Sequence, residues 1–402
     1  MTPVAVTGMG IAAPNGLGRP TTGRPPWAPR AASAASTRFD PSGYPAQLAG
    51  EIPGFRAAEH LPGRLVPQTD RVTRLSLAAA DWALADAGVE VAAFDPLDMG
   101  VVTASHAGGF EFGQDELQKL LGQGQPVLSA YQSFAWFYAV NSGQISIRHG
   151  MKGPSGVVVS DQAGGLDALA QARRLVRKGT PLIVCGAVEP RSAPGAGSPS
   201  SPAGGMSDSD EPNRAYLPFD RDGRGYVPGG GRGVVPPLER AEAAPARGAE
   251  VYGEAGPLAR LPAPHSGRGS TRAHAIRTAL DDAGTAPGDI RRVFADGGGR
   301  YPNDRAEAEA ISEVFGPGRV PVTCPRTMTG RLHSGAAPLD VACALLAMRA
   351  GVIPPTVHID PCPEYDLDLV LYQVRPAALR TALGGARGHG GFNSALVVRA
   401  GQ

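Results

Sequence analysis

A chain of 402 residues, 42% of them hydrophobic, is long enough to bury two or more cores, and its interleaved strand and helix patterns argue an α/β protein. A formal net charge of +1 leaves no basic footprint for nucleic acid, and no run of eighteen apolar residues is present to cross a membrane. The first twenty residues carry no secretory pattern, and Cys185, Cys324, Cys343 and Cys362 are scattered without CxxC spacing. The expectation is a cytoplasmic chain with reduced thiols, no disulfide framework and no metal site.

In chain order, Val4 to Thr7 reads as a short buried strand. The following Gly8-Met9-Gly10-Ile11-Ala12-Ala13 fits a dinucleotide fingerprint only superficially, because Pro14-Asn15-Gly16 opens a turn where a helix would have to begin. The proline-rich stretch from Arg19 to Ser36 reads as loop. Thr69 and Asp70 can cap a helix that places Val72, Leu75, Ala79, Trp82 and Ala83 on one face and closes at Gly88. Met99 to Thr103 is a strand. An excursion from Gly108 to Gly150 then collects Phe110, Phe112, Tyr131, Phe134, Trp136, Phe137 and Tyr138 in a chain with few aromatics; such a cluster fits a subunit interface better than ordinary core.

Val157 to Lys178 follows, written VVVSDQAGGLDALAQARRLVRK. Three valines in a row predict a strand covered on both faces. Ser160 to Gly165 turns the chain sharply, and Leu166, Leu169, Ala170, Ala172 and Val176 continue at helical spacing toward a basic last turn. The tip of such an elbow sits at the positive end of a helix dipole, where an enzyme would hold a nucleophile or an oxyanion. The tip residue is Gln162, and an amide is neither nucleophile, acid nor base near neutral pH. Ser160 alternates to the opposite side, and VSDQA is not GxSxG. Arg173, Arg174, Arg177 and Lys178 read as a solvated helix end complementing the dipole, with a docking patch for an acidic carrier protein as the other reading.

Residues 190–210 are rich in Pro, Ser and Gly, and Phe219 to Gly233 is glycine-rich without the GK[ST] of a phosphate loop. Adjacent prolines in Val234-Val235-Pro236-Pro237-Leu238 argue against a central strand, leaving either a locally remodelled edge or a reading-frame slip. The second half echoes the first. Ala279 to Gly284 (ALDDAG) repeats Ala83 to Gly88 (ALADAG), a strand at Val293 to Asp296 follows, and Pro338-Leu339-Asp340 answers Gly165-Leu166-Asp167. Two duplicated α/β halves are expected, 1–240 and 241–402, with Ala395 to Arg399 as the last strand after a Gly388-His389-Gly390-Gly391 turn.

The elbow stretch, with VAVTGMGIAAPNGLG, LVPQTDRVTRLSLAAADWALADAGV, SFAWFYAVNSGQISIRHGM, DRAEAEAISEVFG, TMTGRLHSGAAPLDVACALLAMRAGVIPPT and GGFNSALVV, resembles the chain-length factor, the beta subunit of bacterial type II polyketide ketosynthases within the beta-ketoacyl synthase family. The resemblance covers most of the chain, in order. It implies a thiolase-like fold of two duplicated halves in an αβαβα arrangement. It also implies a heterodimer with a ketosynthase alpha subunit, and an acyl carrier protein whose phosphopantetheine arm is delivered to that partner, with no cofactor bound here.

A condensing subunit of this family needs an elbow Cys and two His. Here Gln162 stands at the Cys position, Asp296-Gly297-Gly298-Gly299 at the first His site, and Arg331, closing Arg326-Thr327-Met328-Thr329-Gly330-Arg331, at the second. His333 is the nearest stand-in, read as a packed or hydrogen-bonded His beside a turn. The expected role is therefore a non-condensing wall that sets polyketide length, with Phe110, Gly113, Leu117 and Phe134 lining the tunnel. A glycine and a leucine at the second and third of those positions favour a comparatively long chain. The alternative is a decarboxylase that primes synthesis from malonyl-acyl carrier protein through Gln162.

Overall fold

The computed structural model describes residues 3–20, 34–124, 126–189, 205–230, 232–262, 269–388 and 391–401. Most of the proline-rich stretch 19–36, the segment 190–204 and the glycine turn at 389–390 lie outside these residues. The helices are α1 (Arg71–Asp86), α2 (Phe110–Leu117), α3 (Gln132–Ala135), α4 (Val140–His149), α5 (Gly164–Lys178), α6 (Ala243–Ala246), α7 (Gly269–Ala283), α8 (Tyr301–Phe315) and α9 (His333–Ala350).

In the first half the strand Leu182–Glu189 is buried along its whole length. It pairs in parallel with Met99–Ala104, which pairs in parallel with Ser155–Val158. On its other side it meets Arg232–Val235 and Pro237–Arg240, both antiparallel, and these meet Gly10–Ala13 and Val4–Val6. The second half repeats the plan. Phe392–Ala400 lies antiparallel to Gly253–Pro262 and Thr381–Arg387, with Val293–Phe294, Pro321–Thr323 and Asp368–Leu369 added in parallel. Val4–Val6 also pairs with Gly253–Pro262, so the two sheets join edge to edge.

Burial separates the layers. α5 (Leu166, Leu169, Val176) and α9 (Ala337, Val341, Leu345) share one core with strand residues of both halves, including Val102, Ile183, Phe294 and Leu396. α1 and Ile145 of α4 cover the outer face of the first sheet, and α7 and α8 that of the second. The order is therefore helix, sheet, helix, sheet, helix. Because α9 lies between two sheets, nearly every residue of it is buried, which is why its sequence carries no polar face. α5 and α9 approach closely: a Cβ on Gly165 would lie 2.1 Å from the Ser334 carbonyl oxygen and 2.4 Å from Pro338 Cδ. The echo at the ends of α1 and α7 is also structural, since Gly88 and Gly284 both close their helices at φ near +60°, a left-handed conformation that favours glycine (φ +60 and +57).

Two expectations need correction. The valine strand is not covered on both faces: among the described residues Ser155–Val158 is an edge strand paired on one side only, its residues are half-buried or exposed, and Val159 is 54% exposed. The adjacent prolines, in turn, do lie against the central strand. Pro237 pairs with Val184, and the Cys185 amide donates to the Pro236 carbonyl at 3.0 Å. They are tolerated because their missing N–H groups fall where the ladder changes neighbours, between Val235 opposite Gly10 and Leu238 opposite Val6. Gly186, at φ +125°, lets the kinked strand close in, since a Cβ there would lie 2.1 Å from the Val234 carbonyl oxygen.

Candidate functional site

The elbow is built by one residue in a left-handed conformation. Asp161 has φ +51°, where a short polar side chain is tolerated better than a branched one, and Asp161–Ala163 forms a single 3-10 turn that runs into α5. Sequence reasoning put the tip at Gln162; the backbone reverses one residue earlier. The Ser160 hydroxyl donates to Asp167 at 2.6 Å, and Asp167 also accepts from Ser394 at 2.8 Å. Ser160 is thereby turned into the central layer.

Gln162 is 4% exposed, and its Oε1 has no hydrogen-bond partner among the described residues. It lines a cleft of about 270 Å³ together with Tyr226, Arg272, Asp296, Arg331 and Arg387. The three positions where the resemblance calls for Cys, His and His thus face one cavity. His333 does not line it.

Asp296 is the hub of the cleft. Its carboxylate is bound by Arg326 and Arg331, and Arg272 lies 3.9 Å away while bonding Glu307 at 2.8 Å. Burial pushes the Asp296 carboxyl up, but the guanidinium groups of Arg331, Arg326 and Arg272 outweigh it and hold the group well below the usual carboxylate range. Arg326, fully buried, bridges Asp296 to Asp340 of α9, donating from Nε to Asp340 Oδ2 at 2.7 Å. Arg331 lies 5.5 Å over the Tyr226 ring. Burial lowers its pKa and the Asp296 charge raises it further, so the net direction is up. A guanidinium held in this way stays charged and cannot exchange a proton with substrate. Among the described residues that line it, the cleft has guanidinium groups, a carboxylate and an amide, with no thiol and no imidazole.

Among the described residues, an imidazole cluster gathers on Asp161 at the elbow. His333 opens α9, is 3% exposed, and places Nδ1 3.0 Å from Asp161 Oδ1. His106 places its own Nδ1 3.1 Å from the same oxygen, and the two rings stack with centroids 4.0 Å apart and planes 2° from parallel. Two histidines and a carboxylate could suggest a metal centre. Each Nδ1 lone pair, however, lies in its own ring plane, and one ion cannot lie in two parallel planes, so the trio reads as a hydrogen-bonded cluster. Burial pushes the Asp161 carboxyl up, and the bonds from His106 and His333 pull it down further, to well below the usual range. Sequence reasoning named His333 and missed His106. Its signal was a histidine two residues past the end of a buried strand, in Ser105-His106-Ala107-Gly108-Gly109. The amide of His106 donates to Glu189, a carboxyl pushed up to about 7 by burial at the end of the central strand.

The expected tunnel residues form a separate surface. None of the seven aromatics of the excursion is buried; Phe110, Trp136, Phe137 and Tyr138 are exposed, and Phe112, Tyr131 and Phe134 are half-buried. Phe110, Gly113 and Leu117 share one face of α2, and Gly113 lies inside the helix rather than at its start. A Cβ on Gly113 would lie 3.5 Å from Gln132 Nε2 and 3.7 Å from Trp136 Cβ, ordinary contacts. Phe134 meets Tyr131 edge-on at 5.7 Å. Leu121, Val127 and Ile147 are each more than 70% exposed, extending the apolar surface of the excursion.

Family models for the beta-ketoacyl synthase N-terminal and C-terminal domains match residues 1–244 and 249–360. The chain is 55% identical to the tetracenomycin polyketide synthase ketoacyl synthase beta subunit of Streptomyces glaucescens, over 99% of this chain and 98% of that one. It is 53% identical to the actinorhodin polyketide putative beta-ketoacyl synthase 2 of Streptomyces coelicolor, over 98% of each. With the alpha subunit of the same tetracenomycin synthase the identity is 33%, over 98% of this chain and 96% of that one. Among solved structures, the ishigamide ketosynthase/chain length factor superposes with a TM-score of 0.91 at 24% identity, covering all of both chains.

Proposed function

Because the chain belongs to the beta-ketoacyl synthase family, we propose that it is the non-condensing beta subunit of a type II ketosynthase, pairing with a catalytic alpha subunit and setting polyketide length. The carrying observation is the cleft in which Gln162, Asp296 and Arg331, the last ion-paired to Asp296, stand where condensation needs a Cys and two His. Claisen condensation requires a thiolate to take up the acyl chain as a thioester, and none of the described residues lining this cleft carries a thiol. The higher identity to the beta subunit of the tetracenomycin synthase than to its alpha subunit points the same way.

In this reading the chain contributes a wall. The half-exposed apolar face of α2 (Phe110 at 44%, Leu117 at 49%) with Gly113 between them, and Phe134 behind, borders the channel in which the poly-β-keto chain grows. The unpaired edge strand and exposed excursion receive the alpha subunit, since an open strand edge and a contiguous apolar patch are both surfaces that a stable chain covers. The acyl carrier protein delivers its phosphopantetheine to the partner, and the complex works in the cytoplasm. No helix among the described residues is long and apolar enough to cross a membrane.

A second reading has one observation in its favour: the buried Gln162 amide faces the same cleft as Arg331 and Arg387. There it could stabilise the enolate left when a malonyl thioester loses carbon dioxide, which protonates to acetyl. Co-expression with a candidate alpha subunit tests the first reading through the mass of the polyketide formed. Incubation of this subunit alone with malonyl-acyl carrier protein tests the second: carbon dioxide release would establish it, and its absence would remove it.

A further inference from the structure

We propose that Asp70 is a positioning residue for α2, and through α2 a determinant of product length; this rests on the reading that α2 borders the elongation channel. Asp70 precedes α1 and is 2% exposed. One carboxylate oxygen accepts from the Val72 amide at 2.8 Å, the usual bond of a helix N-cap. The other accepts from the Phe112 amide at 2.7 Å.

Phe112 is the third residue of α2, so its N–H belongs to the first turn, where no carbonyl of the same helix can reach it. The first bond within the helix runs from the Gly113 amide to the Gly109 carbonyl at 3.2 Å. α2 cannot cap itself. Its N-cap is Gly109, and any Cβ there would lie 1.9 Å from the Ala135 carbonyl oxygen, so no Ser, Thr or Asp fits. The cap therefore comes from another element. One buried carboxylate faces the positive ends of two helices, fixing α2 against α1, whose own residues are locked in the core of the first sheet. Phe110, two residues before the bonded amide, and Gly113, one after it, are held to that anchor.

Position matters here because a wall that sets chain length must stop a chain that grows by two-carbon steps. An α2 released from its anchor shifts its side chains relative to the channel without changing their identity.

The test is Asp70→Ser and Asp70→Asn, each co-expressed with the alpha subunit. Serine can cap α1 but is too short to reach Phe112; asparagine keeps the size and one acceptor. Expected are an assembled heterodimer, amide exchange at Phe112 faster by about tenfold or more while α1 keeps its protection, and the proportion of products one two-carbon unit off the main length raised about tenfold. An unchanged length distribution at normal yield overturns the proposal. So does failure of the serine variant to assemble, because it keeps the α1 cap and Asp70 would then be needed for the fold as a whole and not for the position of α2. Gly113→Thr with Leu117→Phe is the control that separates the two ideas. If it shortens the product while the Asp70 variants do not, the channel reading stands and the anchor falls. If neither changes length, the channel reading falls.

Discussion

The imidazole of His106 lies flat against that of His333, centroids 4.0 Å apart, and both rings reach the same carboxylate oxygen of Asp161. This ties three parts of the fold together: the loop that starts the excursion, the elbow, and the first turn of α9. The Asp161 carboxyl is held below its ordinary value of 3.8, so its bonds stabilise the fold fully above that value and are lost as pH falls through the folded pKa. Asp161→Asn keeps a side chain that tolerates positive φ and should cost about 2 kcal/mol at pH 7. Chemical denaturation should find a deficit still present at pH 5 and a shrinking one below about pH 4. A deficit constant down to the lowest pH would mean that charge is not what holds the cluster.

Gln162→Ala removes a buried amide whose oxygen has no partner among the described residues. Product length should stay unchanged, and flux should fall at most about tenfold, roughly 1.4 kcal/mol of barrier. Loss of all product from an assembled heterodimer would favour the priming decarboxylase instead. Gln162→Cys should likewise restore no condensation, because Arg331 remains bound to Asp296 and cannot replace a histidine.

Gly113→Thr with Leu117→Phe should shorten the polyketide by one or more two-carbon units. The space beside Gly113 accepts a Cβ without clash, so the substitution adds bulk to the α2 face and leaves the core alone. Glycine in a helix interior costs about 1 kcal/mol relative to alanine, so the residue is easier to explain by space than by local stability. Product mass from the reconstituted heterodimer is the measurement, and unchanged length at normal yield would count against a channel here.

Expressed alone, the chain should self-associate through its open strand edge and the apolar excursion. Val159→Asp and Ile147→Asp, both on exposed positions (54% and 76%), should leave the fold intact while weakening alpha-subunit binding about tenfold each, near 1.4 kcal/mol. Sedimentation of the isolated chain and titration with the partner would check this. A well-behaved monomer that gains no stability from the alpha subunit would argue that these surfaces stay open.

Much of the layered fold was legible in the sequence because its signals are local. Asp70 capping α1, the left-handed glycines closing α1 and α7, and the echo of Gly165-Leu166-Asp167 in Pro338-Leu339-Asp340 are patterns of a few residues whose physics does not depend on the rest of the chain. The absence of a nucleophile at Gln162 was equally plain, since no tertiary contact turns an amide into a thiolate. What only the tertiary structure decided depends on who the neighbours are. Three valines look the same whether a strand is central or at an edge, and only the pairing left Val159 open. Pro236 and Pro237 could enter the sheet because Val4–Val6 and Gly10–Ala13 break at the same level, a match between segments more than 220 residues apart. Asp70 reads as an ordinary cap until Phe112 is seen to share it, and His106 has no meaning until Asp161 and His333 are brought beside it. A hydrogen bond forms wherever folding places donor and acceptor about 3 Å apart, and their separation along the chain leaves no trace in the sequence around either of them.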